Sequence, residues 1–426
     1  MRLYQKNLNP LNHKDDDLVA CHECDFLHRV KSLPVGGKAF CVRCGAFLYK
    51  HIPNSVDKAL PLYLAAFILF ILANVFPFVS LKFGGNIEEN IMASGALAFF
   101  RYGMGELGIL VFITGFLFPF LVITGWLYVL LPIKLGYRPW KMAKVLSMIQ
   151  RVSPWSLLSV FMLGVLISYT KLLDLATVIP GVALFSFAAL LVVSTAAHAN
   201  LDISQLWQEM KFKPTTNRSG NTAAERDMIA CHGCTLLIPK VDLDGSLRSE
   251  CPRCNNPIHS RKPNSITRTF ALVVTATILF IPANVFPVMT VVQLGRSETN
   301  TILSGVIELI DEEMWVLAMI IFFASIVVPA VKIIVLCFLL VSVRRKSSWR
   351  TRDRTLLYRV IEIIGSWSMV DIFAIATLIG LVNFGGMSSV IPGIGATFFA
   401  SVVIITIFAT QSFDPRLIWD NSTRLK

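Results

Sequence analysis

Cys21-His-Glu-Cys24 and Cys41-Val-Arg-Cys44 stand in front of one group of four apolar stretches. Cys231-His-Gly-Cys234 and Cys251-Pro-Arg-Cys254 stand in front of another. Each pair of knuckles is separated by 16 residues, the second set repeats the first at an offset of 210, and together they use eight of the nine cysteines. Two CxxC knuckles at such a spacing present four thiolates to one tetrahedral ion. The sequence therefore predicts a duplicated plan, in which a small cytoplasmic β zinc ribbon precedes each of two four-helix transmembrane units. One zinc is expected per ribbon, two in all, held by Cys21, Cys24, Cys41 and Cys44 and by Cys231, Cys234, Cys251 and Cys254.

Other readings of the cysteines carry less. Rubredoxin-type iron uses the same geometry and stays open as an alternative metal. Cytochrome attachment needs His after the second Cys, where this chain has Asp25 and Thr235. A disulfide framework conflicts with heads on the reducing side of a membrane. His22 and His232 lie inside knuckles and, with four Cys available, are expected to support rather than ligate. The segment 26–40 has the composition of strand, turn and strand, with Gly36-Gly37 at the turn. Cys337, mid-helix, is expected to act as a small apolar residue.

Hydrophobic residues make up 54% of the chain and charged residues 15%, well under the ~25% charged that soluble domains carry. Apolar runs fall at about 60–81, 107–131, 155–173, 180–198, 270–293, 314–341, 360–381 and 391–410. Most reach the ~20 residues that a spanning helix needs. The first 58 residues are polar, so the first spanning helix itself is expected to direct insertion. The net charge of +12 might suggest nucleic acid, but 34 of the 39 Lys and Arg sit in alternate polar segments. The intervening loops are acidic: Glu88, Glu89 and Glu106 in one, Glu298, Glu308, Asp311, Glu312 and Glu313 in another. Basic loops stay inside. Eight helices with both termini cytoplasmic, in a bacterial inner membrane, are expected, and nucleic-acid binding is not.

The halves match beyond the cysteines. Ala73-Asn-Val-Phe-Pro77 recurs as Ala283-Asn-Val-Phe-Pro287, Ser94-Gly95 as Ser304-Gly305 and Pro119 as Pro329, all at offset 210. Trp155-Ser156 recurs as Trp367-Ser368 and Ile179-Pro-Gly181 as Ile391-Pro-Gly393, at offset 212. An even number of helices after each head makes the copies run in the same direction. The expected domains are a ribbon at 1–58, a membrane unit at 59–200, a linker at 201–229, a ribbon at 230–262, a membrane unit at 263–412 and a cytoplasmic tail at 413–426. The linker includes a flexible polar stretch at 213–222. Segments 78–91 and 288–302 read as short outer hairpins turning at Gly84-Gly85 and Gly295.

Charges inside a membrane mark function. Lys332 and Asp371 lie within apolar runs, each costing ~2.5–3.5 kcal/mol at a helix centre, so they are expected to face inward and to meet each other or a polar cavity. Ser325 lies seven residues before Lys332 and four before Pro329, whose ring frees the Ser325 carbonyl from the helix ladder. Ser368 shares a helix face with Asp371, and Thr406 in the last helix completes the set. The first copy is an internal control: Gly115, Val122, Ser159 and Ser194 stand where the second has Ser325, Lys332, Asp371 and Thr406. A purely structural set would be needed twice, so Ser325, Lys332, Ser368, Asp371 and Thr406 are expected to form a transport site; the competing reading is a bridge that fixes helix register. Lys171 and Asp174, near the outer end of the first unit's third helix, form a weaker candidate pair.

The tandem cysteine heads, the Ala-Asn-Val-Phe-Pro segments, Gly365-Ser-Trp-Ser-Met-Val-Asp371 and Ser412-Phe-Asp-Pro-Arg-Leu-Ile-Trp-Asp420 together resemble the paraquat-inducible protein A family. The likeness runs from about residue 18 to 420, and the two-head, eight-helix plan is similar to its LetA-like branch. The resemblance implies an inner-membrane component of intermembrane lipid transport, with phospholipid as cargo and a periplasmic MCE-domain protein as partner. It places any role of the motif's Asp on Asp371 only, since Ser159 stands in the first copy. An enzyme is not expected. No phosphate-binding G-x-x-x-x-G-K-[ST] motif is present, so energy would come from a partner or an ion gradient. A proton-coupled small-molecule carrier without an MCE partner is the alternative; a redox enzyme and a scaffold for cytoplasmic partners are weaker ones.

Overall fold

The computed structural model describes residues 18–83, 86–90, 94–173, 177–208, 210, 220–240, 249–293, 296–381 and 388–420. Among these, eight helical segments are long and apolar enough to cross a membrane: Ser55–Val75, Gly105–Lys134, Met142–Thr170, Val182–Ala199, Ser265–Val285, Trp315–Arg344, Thr351–Leu381 and Ile394–Asp420. They are called the first to eighth spans below. The chain is an all-α, multi-span membrane protein with small antiparallel strands around two buried sets of cysteines.

The apolar runs at 60–81 and 270–293 overshoot their helices. The first span ends at Val75 and the fifth at Val285, and the apolar residues beyond are strands Val79–Phe83 and Met289–Gln293. Pro77 and Pro287 cause this, because the residue before a proline is pushed out of the helical region. Phe76 and Phe286 are extended, at ψ 158 and 147. The expected hairpins form, with Val79–Phe83 paired to Asn86–Asn90 and Met289–Gln293 to Arg296–Asn300. Their turns at 84–85 and 294–295 lie outside the described residues. A third strand joins each hairpin: Thr177–Pro180 on the first, Ser388–Pro392 on the second.

These third strands explain why two distant motifs recur together. Gly181 donates its amide to Phe78 O at 3.1 Å, and Gly393 to Val288 O at 2.8 Å. A side chain on either glycine would overlap the carbonyl oxygen of Pro77 or Pro287. The Ile-Pro-Gly of each half thus lies directly on its Asn-Val-Phe-Pro. At the opposite face each half closes similarly. The Asp202 amide donates to Ser55 Oγ at 2.7 Å, and the Asp414 amide to Ser265 Oγ at 2.9 Å, tying the end of each last span to the start of its first.

The halves do not have separate interiors. One apolar cluster takes Phe70, Phe161 and Phe187 from the first half and Phe373, Phe399 and Val403 from the second. Phe161 and Phe373, equivalent at offset 212, meet edge to face with ring centroids 5.3 Å apart. Ser168 Oγ donates to Ala374 O at 2.9 Å beside them. The outer parts of the third and seventh spans, Leu158–Leu173 and Val370–Leu381, form this central seam.

The cysteine heads cross over. The first head packs under the second half, where its cysteines join Tyr358, Ile361, Phe413 and Trp419. Arg359 grips Glu23 through Nε at 3.0 Å and Nη2 at 2.5 Å. Arg43 lies over the Trp419 ring, 4.4 Å from its centroid. The second head packs under the first half, against Trp126, Met142, Leu146 and Trp207. The 213–222 stretch falls mostly outside the described residues, but Asn221 accepts the Leu27 amide at 2.9 Å and so touches the first head. Hydrogen bonds to charged groups contribute ~1.5–3 kcal/mol. The two-pronged, largely buried Glu23–Arg359 contact should therefore give a coupling energy of roughly 1–3 kcal/mol in a double-mutant cycle with Glu23→Ala and Arg359→Ala. The melting temperature of the whole protein is the readout, and a coupling of zero would contradict the crossed docking.

Candidate metal centres and a buried polar site

All four knuckles are built alike. The first Cys of each accepts at its carbonyl the amide of the residue that follows the second Cys: Asp25 to Cys21 at 2.9 Å, Gly45 to Cys41 at 2.8 Å, Thr235 to Cys231 at 2.9 Å and Asn255 to Cys251 at 2.8 Å. That residue has positive φ every time, at 63°, 75°, 57° and 57°. The expected pairing of strands across 26–40 is replaced by a different one. Leu18–Ala20 pairs with Leu27–Arg29 and Lys38–Phe40 with Phe47–Lys50, so each knuckle is the tip of its own hairpin and Gly36 (φ 77°) only links the two. The knuckle itself makes the reversal, and a strand on each side is the shortest way to satisfy its backbone.

In both sets the four Sγ atoms lie within 4.8 Å of one another, and all eight cysteines are buried. Cys21 and Cys44, and Cys24 and Cys41, stand 3.5 Å apart; Cys231 and Cys254 are at 3.5 Å, Cys234 and Cys251 at 3.6 Å. Metal–sulfur bonds of about 2.3 Å in a tetrahedron place sulfurs about 3.8 Å apart. The donor sets therefore fit a four-thiolate ion, which would act as a closed cross-link. Neither His22 nor His232 joins a set. His232 Nε2 lies 3.2 Å from Arg416 Nη2, and burial, with the Arg416 charge added, pushes its imidazole down to about 4, so the neutral ring accepts from the guanidinium. His28, which sequence reading passed over, sits with Nε2 3.3 Å from Cys41 Sγ. Its alternation with Phe26 along the strand was the available signal.

The polar residues of the second half are buried together in two pairs. Ser325 Oγ donates to Asp371 Oδ2. Lys332 Nζ donates to Thr406 Oγ1 at 2.9 Å, and that hydroxyl in turn donates to Val403 O at 2.9 Å. The expected Lys332–Asp371 ion pair is not formed: among the described residues no carboxylate oxygen lies within 4.0 Å of Lys332 Nζ. Two local breaks in the helices separate the groups. Ahead of Pro329 the sixth span widens into a π turn, Phe323–Val327, in which Val328 N–H reaches Phe323 O. The extra residue rotates Ser325 out of line with Lys332. The run at 360–381 is likewise not one α-helix. It comprises Thr351–Ile364, a 3₁₀ turn Gly365–Met369 and Val370–Leu381. Asp371 consequently sits in the first α-helical turn after the 3₁₀ turn, whose ladder continues through Val370 N–H to Trp367 O, and not mid-way along one regular α-helix.

Gly365 belongs to the site although it carries no chemistry. A methyl group there would stand 3.3 Å from Lys332 Nζ, so the bare glycine makes room for the ammonium. Ser368 lies in the same turn, fully buried, and its Oγ has no partner among the described residues. The first half keeps the π turn, at Ile113–Leu117, and a 3₁₀ turn at Ser153–Trp155, but has neither charge: Ser156, Ser159 and Ser194 stand for Ser368, Asp371 and Thr406, and Gly115 and Val122 for Ser325 and Lys332. Gly115 faces Phe161, and Val122 packs beside the apolar cluster under the first half. Asp174 lies outside the described residues, as does the Lys171 side chain. Purified protein is expected to carry two metal ions per chain, Cys24→Ser one, and Cys24→Ser combined with Cys234→Ser none. One ion in the wild type, by elemental analysis, would mean that one set is not a site.

The family model described as paraquat-inducible protein A matches residues 56–211 and again residues 266–423. Both matches start at the first helix of a half and leave out the cysteine sets. The intermembrane transport protein PqiA of Escherichia coli (strain K12) is 32% identical over 407 residues, covering 94% of this chain and 95% of that protein. The lipophilic envelope-spanning tunnel protein A of the same strain is 30% identical, covering 95% of this chain and 91% of that protein. A probable intermembrane transport protein of Haemophilus influenzae is 28% identical, with 94% and 95% covered. No solved structure matches the chain. A match in each half, together with relatives aligned over nearly the whole length, makes this chain a member of the paraquat-inducible protein A family.

Proposed function

We propose that the protein is the inner-membrane component of an intermembrane phospholipid transport system, working with a periplasmic MCE-domain partner, and that the buried polar set of its second half is the working site. The names of three relatives, with intermembrane transport in two and an envelope-spanning tunnel in the third, support the class of function. In this reading the heads at 1–58 and 230–262 are zinc ribbons with one zinc each. The stretches 59–200 and 263–412 are the two membrane units joined by 201–229. The termini, including the tail at 413–426, are cytoplasmic, in line with the basic segments. Zinc is favoured because four buried thiolates close every position of a structural site.

One observation carries the choice of site. Lys332 and Asp371 are each held by a hydroxyl, Thr406 and Ser325, and not by each other. An ion pair is a strut, since protonating one partner strands the other. Since Lys332 and Asp371 are not each other's counter-ion, either can change protonation without stranding the other. Ser368 Oγ, buried in the turn that adjoins both helices, adds a free hydroxyl between the pairs. Proton exchange at Asp371 or Lys332 would then accompany opening and closing of the site.

The test uses nearly isosteric changes. Asp371→Asn keeps a partner for Ser325, and Lys332→Met keeps the stem. Both are expected to leave membrane levels normal and to abolish complementation of an outer-membrane barrier defect. Val122→Ala and Ser159→Ala, at the equivalent places of the first half, should leave complementation intact. Normal complementation by both Asp371→Asn and Lys332→Met would sink the reading.

A further inference from the structure

Each half carries a Ser-Gly pair early in the short helix behind its hairpin, at Ser94–Arg101 and Ile302–Asp311. In the first half this pair is a seat. A side chain on Gly95 would overlap the Ala376 carbonyl oxygen, and one on Gly380 would stand 2.9 Å from the Gly95 backbone. The outer part of the seventh span thus lies backbone to backbone on the first short helix. The repeat would lay the outer part of the third span on Ile302–Asp311 in the same way, with Gly164 in the place of Ala376. Among the described residues that contact is missing: a side chain on Gly305 would meet nothing of them within 4 Å. Gly164 packs instead on Phe373 and Ala374 in the central seam.

The open seat leaves a cavity of about 60 Å³, against about 20 Å³ at the closed one. Its walls include Ile167 from the third span, Ile302, Ile321, Ala374 and Ile375, together with Asp371, Asn300 and Thr301. A water needs ~10–15 Å³ and two to four polar partners. The space is thus large enough for about four water-sized groups, but its walls are mostly without partners for them. Four methylene groups fit it better. It lies between spanning helices, where the available apolar solute is lipid.

We propose that the unclosed Gly305 seat is an alkyl-chain site that takes a segment of one acyl chain of a membrane phospholipid, with the end of the chain segment beside Asp371. The choice of a phospholipid rests on the transport reading above. The asymmetry of the two seats gives the occupied site a built-in comparison, and it puts the chain beside Asp371, a position that is Ser159 in the first half.

The full-length protein in nanodiscs containing phosphatidylethanolamine with a diazirine-bearing acyl chain provides the test. Adducts are expected on Ile302, Ala374, Ile375 or Leu378, which are buried and out of reach of surrounding lipid. Gly305→Leu fills the space from one wall and Ala374→Leu from the other; each should remove those adducts without lowering the melting temperature below that of Gly305→Ala. No adducts at these residues in the wild type, undiminished adducts in both filled variants, or equal adducts at Ala376 beside the closed seat would overturn the proposal. Lost adducts together with normal complementation would keep the chain site and remove it from the transport path. That separates failure of the site from failure of the transport reading.

Discussion

A backbone amide or carbonyl in the interior of a bilayer must find a partner within the protein, and the architecture follows from where this chain breaks its helices and still meets that demand. At each Asn-Val-Phe-Pro the helix stops and the freed groups are taken up by a strand pair. At each Ile-Pro-Gly the chain returns and its glycine amide closes the sheet. Where Pro119 and Pro329 remove an amide, the helix takes a π turn and continues. Each irregular stretch is bonded to another irregular stretch, which is why the motifs recur as sets.

The polar site depends on these breaks. A continuous helix over 360–381 would hold Asp371 at mid-span against intact hydrogen bonds. The 3₁₀ turn at Gly365–Met369 instead changes the helix pitch just before it, and so sets the direction in which Asp371 leaves the helix. The π turn brings Ser325 within reach of it, and Gly365 leaves space for Lys332. The first half has the same two breaks, at Ile113–Leu117 and Ser153–Trp155, but Val122 and Ser159 where the second has its two charges, so the geometry is shared by the repeat and the charges belong to the second half alone.

The cysteine sets, the eight spans, the hairpins and the membership of the buried polar set could all be read from the sequence, because each rests on spacing or on the high cost of burying charge. The partners within the polar set could not. Counting residues along an ideal helix puts Ser325 and Lys332 on one face, and a single extra residue in a π turn undoes that count. Third strands such as Ser388–Pro392 carry little signal beside the apolar run that follows them. The crossing of the heads was invisible for a different reason. Glu23 and Arg359 are 336 residues apart, and local pattern says nothing about which half a head will choose.

That crossing has a consequence for synthesis. Domains generally fold as units, N-terminal first, as the chain emerges. The first head is made before any of the eight spans, but its seat consists of Tyr358, Arg359, Phe413 and Trp419, which come with the seventh and eighth. Until then Cys21, Cys24, Cys41 and Cys44 belong to a head without a surface to rest on. The second head meets the opposite situation, since Trp126, Leu146 and Trp207 are complete before it appears. The first head therefore closes the molecule last, and a chain cut short before Trp419 would leave it hanging in solution as a visible sign of incomplete assembly.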